Sequence, residues 1–374
     1  MQKKLNYIDA LRGLAILMVI AIHTMQYGTN NNHPIIIALF KSGARGVQLF
    51  FVASAFTLFL SGWNRKGELH PTRNFFIRRF FRIAPVYYLG IAYYFWQFNG
   101  EVNHWLGGPH EIETGNIISN FLFLHGFNPN WFNSLVPGGW SITVEMMFYC
   151  LVPVLLKYIS SLNKAITFFV GTVVLNFLLT RMLGHFNSGF TEKIWSQYIG
   201  LYLPSQLPVF ACGIIAFFIV VKRDYAVSAG NLLAVSLLIA ANIILGAMIS
   251  PVMFFGIAFS LLLVALSRND FTFLVNPFFT FFGRISYSAY IVHFGILHWM
   301  TKFSFVDFVP ANSFPFALAN YCIRFFVVLG LVALIASLIF RFVEQPMQRM
   351  GKWLINRLEL QRVSLNPVLQ NRQQ

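Results

Sequence analysis

The chain has 374 residues, of which 57% are hydrophobic and 10% charged. A soluble domain carries about 25% charged residues, so composition excludes a soluble protein with one anchor and predicts a polytopic membrane protein. The formal charge of +15, from 27 Lys+Arg against 12 Asp+Glu, would favour nucleic acid in a soluble chain, but here it fits basic loops beside a membrane surface.

No nucleic-acid partner is expected, because the 43 Phe do not interleave with Lys or Arg as a base-stacking surface would. The N-terminus has a signal-like basic flank in Lys3 and Lys4. However, Asp9 and Arg12 border the apolar run and no small-residue cleavage site follows, so the segment is expected to stay as a first helix. Ten apolar spans follow, at 12–29, 46–62, 83–98, 139–159, 165–182, 199–221, 227–247, 251–267, 286–302 and 318–343. With the N-terminus inside, all but Lys41, Arg45, Arg181, Lys193, Lys302 and Arg324 fall on the cytoplasmic side, which puts both termini in the cytoplasm. The expected fold is an all-α polytopic bundle, with a transmembrane domain over 1–343 and a basic cytoplasmic tail over 344–374. The stretch at 116–127 is short for a span and reads better as re-entrant or interfacial. Cys150, Cys212 and Cys322 each sit in apolar runs, so neither a disulfide framework nor a metal site is expected.

Ionisable groups within spans are functional candidates, because a bilayer penalises them. The first run holds Asp9, Arg12 and His23. Arg12 and His23 are eleven residues apart, which returns to nearly the same helix face roughly 16 Å further along. Asp9 can pair with Arg12 on that face. With Arg12 at the cytoplasmic edge, His23 is expected near mid-membrane, where a neutral imidazole can take a hydroxyl proton or carry an acyl group. The bland alternative is a packing histidine bonded to a neighbouring carbonyl.

Further along, Arg78, Arg79 and Arg82 enter the third span from the cytoplasm, and arginine forks suit phosphate. Ordinary positive-inside anchoring is the alternative. Trp140, Ser141 and Glu145 open the fourth span. Glu145 is expected either to orient His23 or to form a structural salt bridge with Arg12 or Arg324. Ser54 in the second span and Tyr287 and His293 in the ninth are weaker candidates, since small and hydroxyl residues also serve helix packing.

In order along the chain, these residues resemble the acyltransferase-3 family of integral membrane acyltransferases. Arg12 to His23 matches its arginine–ten residues–histidine signature, Gly46 to Phe56 its second-helix motif and Arg79 to Pro85 its arginine–x–x–arginine motif. Trp140-Ser141 with Glu145, Ile285 to His293 and Phe342 to Pro346 are similar to its later motifs. Ala55 stands where the family usually has Gly.

The resemblance implies about ten transmembrane helices in a bacterial cytoplasmic membrane. It implies transfer of an acyl group, by default acetyl, from cytoplasmic acyl-CoA to a sugar hydroxyl of a surface polysaccharide such as O-antigen, or of its lipid-linked precursor. No tightly bound cofactor is implied. Some relatives carry an extracytoplasmic hydrolase-like domain, and this chain has no room for one, so transfer is expected to finish within the membrane domain. On this reading His23 is the catalytic base or acyl carrier, with Glu145, Asp9 and Arg12 around it. Arg79, Arg82 and Arg78 hold CoA phosphates. Trp140, Ser141, Ser54, Tyr287 and His293 line the substrate path. A transporter or flippase whose charges line a solute path, and a catalytically inert assembly partner, are the alternatives.

Overall fold

A computed structural model describes residues 5–28, 34–101, 111–186, 189–222, 233, 240, 251–310 and 313–365. Helix α1 (Asn6–Met25) carries the first run of apolar residues without a breaker. Its 20 residues extend about 30 Å at 1.5 Å each, which matches a hydrocarbon core. It ends four residues before the predicted span does, because Gly28 takes φ +98° and turns the chain. His23 therefore sits in the last turn of α1 rather than at mid-helix.

The remaining helices are α2 (Pro34–Phe40), α3 (Gly46–Asn64), α4 (Pro71–Gln97), α5 (Thr114–Phe121), α6 (Gly139–Tyr158), α7 (Leu162–Gly184), α8 (Glu192–Leu201), α9 (Leu203–Lys222), α10 (Pro251–Arg268), α11 (Pro277–Arg284), α12 (Ser286–Lys302), α13 (Phe314–Ile339) and α14 (Gln345–Leu365). No strand occurs among the described residues. A π-helical turn at Phe340–Glu344 joins α13 to α14, just ahead of Pro346, which cannot complete an ordinary α turn.

Among the described residues, six helical stretches are long and apolar enough to cross a membrane: Asn6–Met25, Pro34–Asn64, Gly139–Tyr158, Leu162–Gly184, Glu192–Val221 and Phe314–Leu360. The difference from ten has physical causes. Helix α4 carries Arg73, Arg78, Arg79 and Arg82, α12 has 17 residues, and Val252–Arg268 is shorter than the others. The predicted span at 227–247 lies outside the described residues apart from Leu233 and Ala240. The segment at 116–127 does not span. Helix α5 has eight residues, about 12 Å, and Phe123 then turns the chain at φ +58°. Its polar groups are tied down internally: Asn116 donates to Ser134 (2.8 Å), Tyr87 to Asn120 (2.8 Å) and Thr143 to the Phe123 carbonyl (2.9 Å).

Helix α1 is central and packs against α3, α10, α11, α12 and α13, whereas α7 presents Val170, Phe177 and Leu178 outward, as a lipid-facing helix does. The α1–α11 crossing depends on two glycines. A Cβ on Gly283 would stand 1.7 Å from the Asp9 carbonyl oxygen, and one on Gly13 would stand 1.9 Å from that of Phe279. Both obstacles are backbone, so neither can swing away. Gly283→Ala is expected to force the helices apart and cost at least the 1–3 kcal/mol of ordinary overpacking. Thermal unfolding of purified protein checks this, and an unchanged midpoint would refute the tight crossing.

Candidate active site

Two polar cavities lie along α1, one near each end. The first is lined by Arg12, Ser54, Arg79, Arg82, Ser141, Glu145, Tyr149, Tyr287 and Tyr290, with apolar walls from α3 and α6. Arg79 and Arg82 reach it together because residues three apart share a helix face. Arg78, one position away and about 100° round the helix, does not join them. It makes a two-pronged bond to Glu68, at 3.0 Å on each arm, and lines a separate cavity beside Arg65 and Lys157.

In the first cavity, Glu145 accepts from Ser54 (2.5 Å) and Tyr149 (2.7 Å). Arg12 donates to Thr57 (3.1 Å). The expected Asp9–Arg12 ion pair does not form at contact distance, since the α1–α11 crossing fixes the Asp9 backbone and Arg12 turns to Thr57. Arg12 nevertheless lies in the electrostatic reach of Arg82, Asp9 and Glu145. Arg79 lies over the rings of Phe75 and Tyr149, 5.7 Å from each centroid, and its buried Nε has no hydrogen-bond partner. A second carboxylate, Glu344, stands behind this group. It is buried, accepts from Ser288 (2.8 Å) and Gln348 (3.1 Å), and feels Arg82 and Arg12. Three guanidiniums converging with one lining carboxylate leave the cavity positive, which suits a polyanion.

The second cavity, about 630 Å³, is lined by His23, Gln26, Tyr27, Arg45, Gln48, Asn133, Trp140, Gln197 and Tyr290 among others. His23 Nδ1 lies 2.8 Å from Gln26 Oε1. A carbonyl oxygen accepts, so Nδ1 bears the proton and Nε2 keeps the basic lone pair. Phe294 packs on His23 with centroids 4.3 Å apart, and His293 lies 5.3 Å away. His293 itself is fully buried, places Nδ1 3.3 Å from the Ala289 carbonyl, and lines neither cavity.

Glu145 does not orient His23. It belongs to the Arg12 cavity, and His23 lies eleven residues further along α1, about 16 Å away. The two cavities share Tyr290 and Val47 as walls. Tyr290 donates to the Gly138 carbonyl (3.1 Å) and accepts from Ser141 (2.9 Å). Gly138 is required there: its φ is +77°, and a Cβ would stand 2.7 Å from the Tyr290 hydroxyl. Tyr287 donates to the Ile83 carbonyl (2.8 Å) and so holds α12 against α4.

Arg324, the other candidate partner for Glu145, serves the end of α1 instead. It pairs with Asp307 (2.9 Å), donates to the Val306 carbonyl (2.6 Å), and reaches the carbonyls of Thr24 and Tyr27. It therefore satisfies carbonyls that a helix end leaves unpaired, one residue beyond His23. Arg324→Met is expected to lower stability by about 3 kcal/mol, the low end for breaking a buried ion pair, because Asp307 keeps a quarter of its side chain exposed. A thermal midpoint equal to wild type would show that Arg324 does not secure this turn.

An acyltransferase domain family model matches residues 5–342. The chain belongs to the acyltransferase-3 family. The chain is 28% identical over 190 residues to the peptidoglycan O-acetyltransferase OatA of Listeria monocytogenes, a match covering 47% of this chain and 28% of that protein. It is 22% identical to a Staphylococcus aureus protein named as an O-acetyltransferase, over 95% of this chain and 59% of the relative. It is also 23% identical to a Caenorhabditis elegans regulator of hypoxia-inducible factor, over 96% of this chain and 82% of the relative. The chain thus spans about a quarter of the length of the Listeria relative and less than two thirds of the Staphylococcus one. No solved structure matches it. With its apolar helices, this member of the family is an integral membrane protein.

Family motifs drew attention to Arg12, His23, Arg79, Arg82 and Glu145, but several neighbours carried weaker signals. Glu344 lies inside the Phe342–Pro346 motif but one residue past the last predicted span, so hydropathy does not mark it as an intramembrane charge. Gln48 lies inside the Gly46–Phe56 motif, whereas Thr57, Tyr149 and Gln26 are ordinary polar residues outside the motifs; the importance of all four depends on which helices meet.

Proposed function

We propose that the protein is a membrane O-acetyltransferase that takes an acetyl group from cytoplasmic acetyl-CoA and passes it to a sugar hydroxyl of a cell-surface glycan or its lipid-linked precursor. The observation that carries this reading is the division of labour along α1: a cavity with three arginines near one end and a neutral imidazole in an amide-rich cavity near the other. Arg79, Arg82 and Arg12 bind the donor's phosphates, and the buried Nε of Arg79 gains a partner there. Glu145, held by Ser54 and Tyr149, keeps those guanidiniums from repelling one another. The donor's flexible arm carries the thioester past Tyr290 toward His23. There Nε2 removes the acceptor's hydroxyl proton as the oxygen attacks the thioester carbonyl. The C–O bond forms, the C–S bond breaks, and the departing CoA sulfur takes up the proton.

The charge distribution supports a cytoplasmic face at the Arg12 end, with both termini on that face and ten crossings in all. The O-acetyltransferase relatives support acetyl as the group moved, and the peptidoglycan in the Listeria relative's name supports a surface glycan as its destination. The test uses purified protein in lipid nanodiscs with acetyl-labelled CoA and surface glycan from cells that make the protein. One free CoA thiol is expected for each acetyl appearing in glycan. Glycan left unlabelled while CoA is neither bound nor released would refute the reading.

A further inference from the structure

The cavity around His23 holds more than a base. Among the described residues its wall has one formal charge, Arg45, and no carboxylate. Arg45 has no ion pair in the described chain, and its guanidinium rests 5.9 Å from the Phe255 ring centroid. In the orientation given above, Arg45 lies on the extracytoplasmic side, where cations are disfavoured. It therefore does not serve the usual anchoring role of a membrane arginine.

A second, independent feature lies beside it. Gln206 donates through Nε2 to the Gly200 carbonyl (3.1 Å), which fixes its amide orientation. Its Oε1 then accepts from Gln48 Nε2 (3.0 Å). This assigns the Gln48 amide and leaves its carbonyl oxygen as the group without a donor. That oxygen is buried, belongs to a residue on the cavity wall that is 1% exposed, and has no hydrogen-bond partner. A buried acceptor without a donor is costly, and a hydroxyl-bearing ligand supplies one. The rest of the wall offers the Asn133 and Gln197 amides and the Trp140 ring. Amides and an aromatic face suit a sugar, and one unpaired guanidinium suits an oxyanion.

The geometry points to an acidic glycan as the acceptor, with Arg45 binding its carboxylate or phosphate and Gln48 accepting one of its hydroxyls beside His23. This rests on the transfer reading above. Arg45 and Gln48 act as specificity residues, not as participants in proton transfer.

The test uses the full chain in nanodiscs with labelled acetyl-CoA and three forms of the same glycan: untreated, carboxyl-reduced, and dephosphorylated with hydrofluoric acid. Wild type, Arg45→Gln and Arg45→Lys are compared. Hydrogen bonds to charged groups predict a 10- to 100-fold rise in KM for untreated glycan in Arg45→Gln, with kcat nearly unchanged. Arg45→Lys should recover part of that loss. Wild type should lose the same factor on one treated glycan: carboxyl reduction identifies a carboxylate, and hydrofluoric acid a phosphate. On that treated glycan, wild type and Arg45→Gln should converge. Equal KM for all three glycans, or an Arg45→Gln enzyme with wild-type KM on untreated glycan, would overturn the inference while leaving transfer itself intact. Absence of transfer by wild type to every form, with CoA unbound, would instead overturn the transferase reading beneath it.

Discussion

His23→Ala is expected to lower acetyl transfer by about 10²–10⁴, the usual value of a positioned general base, while acetyl-CoA binding stays at its wild-type value. The separation of the cavities makes this pair of outcomes specific. His23 lies about 16 Å along α1 from Arg12 and makes no contact with the guanidiniums of the first cavity. Removing its ring should therefore leave the phosphate site untouched. The Gln26 bond holds Nδ1 as the donor, so Gln26→Leu should give a smaller rate loss in the same direction. Single-turnover measurement of label in glycan checks the rate, and titration calorimetry with CoA checks the binding. Transfer at the wild-type rate in His23→Ala would remove the histidine from the mechanism.

Arg79→Ala combined with Arg82→Ala is expected to give the opposite pattern. Each guanidinium bonded to phosphate contributes about 1.5–3 kcal/mol, so losing both should weaken CoA binding by about 10²–10⁴, less any shared part because the pair is not additive. Arg78→Ala is the internal control. It breaks the pairing with Glu68 on the other side of α4, and should leave CoA affinity within a few-fold of wild type. The same calorimetry separates the cases. Equal losses from Arg78→Ala and from the double variant would mean that the effect is a general one of surface charge.

The sequence made the helical class legible, because 57% hydrophobic residues in runs of about twenty leave few alternatives. It also made visible the polar residues that a bilayer penalises, and seven of the candidates, Arg12, Ser54, Arg79, Arg82, Ser141, Glu145 and Tyr287, do meet in one cavity. What it did not reveal was the grouping. Glu145 and His23 are the two most conspicuous polar residues inside the spans, and reading them as partners is natural when helix register is unknown. The register is set by backbone contacts such as Gly283 on the Asp9 carbonyl and by the early end of α1 at Gly28, neither of which appears in hydropathy. Arg78 shows the same limit at shorter range. Its residue type matches that of Arg79, and only the 100° step around α4, together with Glu68, sends it elsewhere. Tyr290, the wall shared by both cavities, sat inside a recognised motif, but its hydroxyl gains meaning only from Ser141 and Gly138, some 150 residues earlier in the chain.

In the proposed reaction, donor and acceptor enter from opposite faces and meet at His23. The most direct test reconstitutes the protein in sealed vesicles with membrane-impermeant acetyl-labelled CoA and glycan placed on chosen sides. Labelled glycan is expected when donor and acceptor are on opposite sides and not when both are on the same side. Transfer that requires donor and acceptor on the same side would contradict the account.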